Sequence, residues 1–336
     1  MDPVSQGTVG AAFAQSSATK NTIAKIGVIG FLAGLAPDLD VLIRSSTDPV
    51  LFLEYHRQFT HSLIFIPLGA LLVCLFVFPF VKASLSFKKT YQASLLGYAT
   101  HGLLDACTSY GTLLFWPFSN ERVTWNNISI VDPLFTLPAL VLVGAAIKTR
   151  KRRLSFIAIG WMLSYLALGF VQYERARSAA TELAHSRGHE AQRLTLKPSF
   201  GNLILWKSIY QHDNVFYVDA IRTVGSSMWC SGESVRIFDY PIHLPALKEG
   251  SQQQKDIERF RWFSQGYLGF DADKNLVTDV RYSLLPHQIA PMWGLVIDVE
   301  RDLHAHATWW ASRALNQGQF SAFKDMLSGK SCQEGF

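Results

Sequence analysis

Residues 62–81 read SLIFIPLGALLVCLFVFPFV, and residues 154–173 read LSFIAIGWMLSYLALGFVQY. Neither stretch holds a Lys, Arg, Asp or Glu, and the first lies in a charge-free run of 24 residues, 58–81. A membrane-spanning helix needs about 20 mostly apolar residues, and helices of soluble cores rarely stay charge-free for that long. The fold is therefore expected to begin with an α-helical polytopic membrane domain. Three further apolar runs keep acids inside them: 26–43 holds Asp38 and Asp40, 90–120 holds Asp105, and 123–147 holds Asp132. Segment 4–19 is weakly apolar and reads as a further half-span, packing closely through Gly7 and Gly10.

Charge divides the chain in the same way. Residues 1–172 carry 13 basic and 8 acidic side chains, while 173–336 carry 18 of each. An apolar content of 49% excludes a disordered chain, and 4 Cys exclude a disulfide-rich mini-protein. A pI near 9.0 invites a nucleic-acid partner. The basic excess, however, gathers in KTRKRR (148–153) beside apolar runs, where it reads as a topology signal instead, so no nucleic acid is expected.

Lys82, Lys88 and Lys89, the KTRKRR loop, and Lys20 with Lys25 should all stay cytoplasmic. One threading satisfies them. The chain leaves through about 24–43, returns through 62–81, leaves through 91–107, returns through 129–147 and leaves again through 154–172. Residues 44–61 and 108–128 are then outer loops, and the C-terminal part is periplasmic in a bacterial inner membrane. The opening MDPVSQGTVG lacks a basic region followed by an apolar one, so the first spans are expected to direct insertion themselves.

The first half has three histidines, His56, His61 and His101. In this threading they fall at the outer ends of spans, together with Asp38, Asp40, Asp105 and Asp132. That clustering did not enter the threading. Ionisable groups in a membrane are costly and default to function. His101 and Asp105 share one helix face, and Asp38 and Asp40 point the same way if the segment is extended. Asp38, Asp40, His56, His61, His101 and Asp105 form a mixed nitrogen and oxygen set suited to Zn, Mn or Fe, with ligands enough for one or two divalent ions. Asp40 is also a candidate general base, and Arg57 a candidate grip on a substrate anion. Alternatives stand beside these readings: a charged helix end for Asp38 and Asp40, a solvated loop residue for His56, an interhelical hydrogen bond for His101 with Asp105, a helix cap for Asp132, and loop charges for Glu54 and Arg57. Cys74 and Cys107 read as small apolar residues.

The ordered blocks MDPVSQGTVGAAFAQ (1–15), GLAPDLDVL (34–42), HRQFTHS (56–62), GYATHGLLDACTSYGTLLFWPF (97–118) and ISIVDPLF (128–135) resemble the YdjM-like, LexA-regulated inner-membrane proteins, described as metal-dependent hydrolases. The resemblance covers about the first 170 residues. The tail segments NLILWKSIY, DVRYSLLP and MWGLVIDV look like the extension of longer members. It implies hydrolase activity and supplies no substrate. The family opens with a D-P-x-T-H-type block, whereas this chain has Asp2, Pro3, Val4, Ser5 and Gln6. A neutral amide at Gln6 either weakens one metal position or supports a ligand from behind.

Domain boundaries are expected at 1–172, a helical linker over 173–198, and an α+β extramembrane domain with an antiparallel sheet over 199–336. Hairpins are expected from 202–210 with 214–224, and from 266–270 with 276–284 around the turn DADKN. A short helix is expected at 257–263, a strand at 293–300 and a closing helix over 304–327. His304 and His306 read as a solvated helix start, and Cys230 and Cys332 as residues able to pair in an oxidising compartment.

Three function classes fit. The first is a metal hydrolase at the outer membrane–water interface, acting on an ester or phosphoester of a lipid-linked or amphiphilic substrate. The second is a transporter or ion relay using the same groups, disfavoured by the lack of an inverted repeat. The third is a non-enzymatic membrane scaffold.

Overall fold

The computed structural model describes residues 1–312 and 317–334, a helical N-terminal region followed by antiparallel sheets. The helices of the first half are α1 (Pro3–Gln15), α2 (Ile23–Leu35), α3 (Leu51–Tyr55), α4 (Ile66–Val81), α5 (Phe87–Ala106), α6 (Pro133–Thr149) and α7 (Arg153–Ser186). Local chemistry sets their ends. Asp2 caps α1 by accepting from the Val4 and Ser5 N–H groups, with Pro3 at the first helical position. Asp132 does the same for α6 ahead of Pro133.

The span expected over 24–43 is shorter than its apolar run. The α-helix stops at Leu35, and Ala36–Leu42 winds as a tighter 3₁₀ turn. Pro37 removes a backbone donor there, while Ala36 before it keeps a right-handed helical backbone. At 13 residues α2 is about 20 Å long, short of the roughly 30 Å hydrocarbon layer. The half-span expected over 4–19 is a helix, α1, with Ser5–Ala12 buried. Among the described residues, Leu63–Val81 and Arg153–Ser186 are long and apolar enough to cross a membrane. Both leave large side chains exposed, including Leu72, Leu75, Phe76 and Phe80 on the first and Phe156, Ile157, Leu163 and Leu168 on the second.

One unit comprises Met1–Leu42, Tyr55–Val171 and Phe200–Leu203. In it α1, α2 and α5 pack through glycines. A Cβ on Gly10 or Gly97 would strike the Gly30 carbonyl, and one on Gly30 would strike the Gly10 carbonyl and Ala14. Because the obstruction is backbone, it cannot rotate away. Gly30→Val should therefore lower stability by about 1–3 kcal/mol, the usual range for overpacking. Thermal unfolding in detergent checks this, and an unchanged midpoint would contradict the packing.

The second unit comprises Ile43–Glu54, Gln172–Ser199 and Ile204–Phe336. Its strands are β1 (Arg193–Pro198), β2 (Leu205–His212), β3 (Val215–Arg222), β4 (Met228–Cys230), β5 (Ser234–Arg236), β6 (Leu268–Asp271), β7 (Leu276–Asp279), β8 (Trp293–Val296), β9 (Thr308–Ala311) and β10 (Gln333–Glu334), with helices α8 (Tyr240–His243), α9 (Gln252–Phe263) and α10 (Gln317–Ser328). One sheet runs β1-β2-β3-β4-β10 with β5 also on β3, and the other runs β6-β7-β8-β9. All pairings are antiparallel. Both expected hairpins are present, as β2–β3 and β6–β7.

Two expectations fail here. The segment read as the end of a linker contains β1, which pairs along its whole length with β2. The closing helix expected over 304–327 is instead β9 followed by α10, with 313–316 outside the described residues. Trp309 and Trp310 pair with Leu295 and Gly294 of β8, so the sheet edge overrides the local helical pattern. His304 and His306 therefore do not start a helix, and the His306 Nδ1 lies 2.9 Å from a carboxylate oxygen of buried Asp256. Cys230 and Cys332 are joined as a disulfide. Segment 43–54 is fastened within this unit by Arg259, whose guanidinium donates to Asp48 (2.8 and 3.0 Å) and Glu54 (2.5 Å).

Candidate metal centre

The site is built where α5, the 3₁₀ turn after α2 and the 59–61 turn meet. Gly102 makes the approach possible, since a Cβ there would strike the His61 carbonyl. The His101 ring is turned by the Gly34 carbonyl, 2.6 Å from its Nδ1. A carbonyl only accepts, so Nδ1 carries the hydrogen and Nε2 presents a lone pair. The His61 Nδ1 lies 3.2 Å from Asp40 Oδ2, so it too carries a hydrogen, and the neutral ring presents its lone pair at Nε2. The two Nε2 atoms stand 2.9 Å apart.

Two carboxylate oxygens complete the set. Asp38 Oδ1 is 3.4 Å from each Nε2, and Asp105 Oδ2 is 3.2 Å from His61 Nε2 and 3.5 Å from His101 Nε2. Four lone-pair atoms thus face one another in a pocket where His61, His101 and Asp105 are buried. With no cation between them and no proton on either Nε2, this arrangement is repulsive. Tetrahedral ligands about 2.0–2.1 Å from zinc stand roughly 3.3–3.4 Å apart, close to the spacing seen here. Asp105 Oδ2 accepts no hydrogen bond, although the Arg57 Nε lies 3.0 Å away. The donor set and this orphaned oxygen fit a divalent ion held by Asp38, His61, His101 and Asp105.

Asp40 and His56 stand next to that set. Asp38, Asp40 and His56 form a second group whose ligand atoms lie within 4.8 Å of one another. Asp40 is buried and heavily engaged: it meets His56 Nδ1 at 2.8 Å and accepts from the Arg57 N–H and the Thr60 hydroxyl at 2.9 Å each. It thereby aims both His56 and His61. Arg57 has φ 65°, a left-handed backbone that arginine rarely adopts. That conformation gives its N–H to Asp40 while its side chain reaches Asp105 and, at 2.9 Å, Thr108. Its guanidinium also lies 4.7 Å from the Tyr110 ring centre.

The amide at position 6 faces the cluster. Gln6 Nε2 donates to Asp105 Oδ1 at 2.8 Å, while the other oxygen, Oδ2, is the one near the two Nε2 atoms. The departure from the D-P-x-T-H pattern thus places a donor behind a candidate ligand. Asp132 lies outside the set: it caps α6, and the Tyr165 hydroxyl contacts both its oxygens at 2.9 and 3.0 Å. Glu54 belongs to the Arg259 clamp. Sequence reasoning missed Tyr110, Thr60 and Thr108 as supports of the site. Thr60 lies within HRQFTHS and reads there as a helix cap, and Thr108 lies in the family-like block after Asp105, but neither position shows its contact with the cluster.

A third grouping, Asp48, Asp256 and His306, also brings ligand atoms together. There the Arg259 guanidinium already contacts both carboxylates, at 2.8 and 3.3 Å, so a cation stands where a metal would.

No curated protein and no solved structure matches the chain. Residues 1–176, which contain every residue of the cluster, match the family described as YdjM inner membrane protein, and the chain belongs to that inner-membrane family.

Proposed function

We propose that the chain is a multi-pass inner-membrane hydrolase that uses one or two divalent ions, Zn, Mn or Fe, on an ester or phosphoester of a lipid-linked or amphiphilic substrate near the outer membrane–water interface. The observation that carries this reading is the convergence of His61 Nε2, His101 Nε2, Asp38 Oδ1 and Asp105 Oδ2 on one point. Asp38, His61, His101 and Asp105 would hold the divalent ion, which would supply Lewis-acid polarisation of a substrate oxygen and an acidified water. Gly34 and Asp40 keep the ring hydrogens on Nδ1, so both Nε2 atoms stay available as ligands. His56, backed by Asp40, is partly exposed and is the group suited to accept a proton. Arg57 holds Asp105 in place and adds positive charge for an anionic substrate.

Membrane embedding is supported by the family and by the exposed apolar faces of α4 and α7. A periplasmic C-terminal part is supported by the KTRKRR loop before α7. Segment 43–54, an outer loop in the same threading, is clamped by Arg259 within the C-terminal unit, as a shared side requires. A reporter that fluoresces only in the cytoplasm, fused after Phe336, should stay dark. A bright fusion would place the histidine cluster on the inner side.

The function itself is tested by incubating detergent-purified protein with phospholipid vesicles and chromogenic phosphoesters, before and after chelation. Turnover that disappears with chelator and returns with Zn or Mn is expected. Metal-loaded protein inert toward esters and phosphoesters alike would favour the ion-relay or scaffold reading.

A further inference from the structure

In the second unit, β1 and β2 set Lys197 directly opposite Lys207. Lys207 is 2% exposed. A buried ammonium is costly unless a carboxylate balances it. Among the described residues no carboxylate lies within ion-pair distance of this one. Its Nζ instead donates to two neutral oxygens, the Ser283 hydroxyl and the Gln288 carbonyl, each at 2.7 Å. The neighbouring acids are engaged elsewhere: Asp279 is held by the Arg281 guanidinium at 2.7 Å, and Glu233 accepts from the Ile289 N–H at 2.7 Å.

Burial lowers the Lys207 amine well below its usual range, and the positive charge of Lys197 adds to this. Lys197, packed over the Tyr282 ring at 3.6 Å, is itself lowered to about 7, chiefly by burial. An uncharged Lys207 has a lone pair to offer. Ser283 is half-buried at one end of the 283–291 loop, which a bridge between Ser283 and Pro291 closes. Its hydroxyl also reaches the Leu285 carbonyl at 2.7 Å, so a rotation about Cβ–Oγ carries its hydrogen from that carbonyl to the amine. The His287 Nδ1 in the same loop is buried and has no hydrogen-bond partner.

We propose that Ser283 and Lys207 form a serine–lysine dyad, a second reactive centre for acyl transfer on an ester or amide, separate from the metal cluster. Ser283 Oγ forms a bond to the carbonyl carbon while its proton passes to Lys207 Nζ. The carbon–leaving-group bond then breaks, and Lys207 returns that proton to the leaving group. A water, deprotonated by the same amine, hydrolyses the acyl-serine and restores both residues. The balance consumes one water and needs no oxidant, reductant or metal.

The test is a fluorophosphonate, which the same attack converts to a stable Ser283 phosphonate with loss of fluoride. The full-length protein in detergent should gain one adduct, found on Ser283 by peptide mass, and chelation should not change the rate. Ser283→Ala should abolish the adduct, and Lys207→Met should slow it by about 100-fold or more, the scale of a lost general base. Independence from chelator separates this centre from the metal-dependent reading, whose failure would leave the adduct intact. Should Lys207→Met not fold, the natural protein still decides, because labelling should fall on acidification as the amine gains its proton. An unlabelled Ser283 in folded protein, a rate indifferent to Lys207→Met, or labelling that rises on acidification would each overturn the proposal.

Discussion

His101→Ala protein should insert in the membrane normally and purify with its bound divalent metal lost. Insertion follows from the apolar runs and basic loops, which this change leaves alone. The proposed metal site rests on four atoms, of which His101 Nε2 is one. Loss of a group that supports a ligand from behind typically weakens a site by about 10–100-fold, and loss of the ligand itself should exceed that. His101 is fully buried, so its truncation also opens a cavity. Asp38→Ala separates the two effects, because its side chain is 24% exposed and fills little of the core. Both variants should lose metal. Asp132→Asn should keep it, since Asp132 is occupied by the α6 cap and Tyr165. Metal content equal to that of the parent in His101→Ala and Asp38→Ala would remove the cluster from consideration as a metal centre.

The second large effect belongs to the C-terminal unit. The Cys230–Cys332 bridge closes a loop of 102 residues and ties β4 to the chain end beside β10. Removing a native disulfide commonly costs about 2–5 kcal/mol, much of it through the freedom returned to the unfolded chain. Cys230→Ser should therefore unfold at a clearly lower temperature and become sensitive to protease. Its metal content should not change, because neither cysteine belongs to the cluster. An unchanged unfolding temperature under oxidising conditions would mean that the bridge is absent from the folded protein.

How far the sequence reached depends on which forces act locally. The β2–β3 hairpin was legible because 202–210 and 214–224 alternate around a polar turn, and period-2 patterning is a local property. β9 was not, because HAHATWWASRAL is a plausible helix until Trp309 and Trp310 meet β8. β1 hid in a charged stretch, although Leu194 and Leu196 alternate, because six residues are too few to stand out. In the helical part the long clean runs were plain. The early end of α2 required Pro37 to be weighted above the apolar run that continues past it.

The site shows the same division. His101 and Asp105 could be paired from their i, i+4 spacing alone. That His61 faces His101 across 40 residues could not, since it rests on Gly102 admitting the 59–61 turn against α5. Gln6 stood out only as a departure from the family pattern, and its contact with Asp105 gives that departure a physical role.

The most direct test of the metal centre is elemental analysis of the full-length protein, purified in detergent without chelator or affinity metal. The arrangement of His61, His101, Asp38 and Asp105 predicts Zn, Mn or Fe at about one ion or more per chain, removed only by strong chelation. Protein that is folded and metal-free, and that takes up none of these ions when they are supplied, would contradict it.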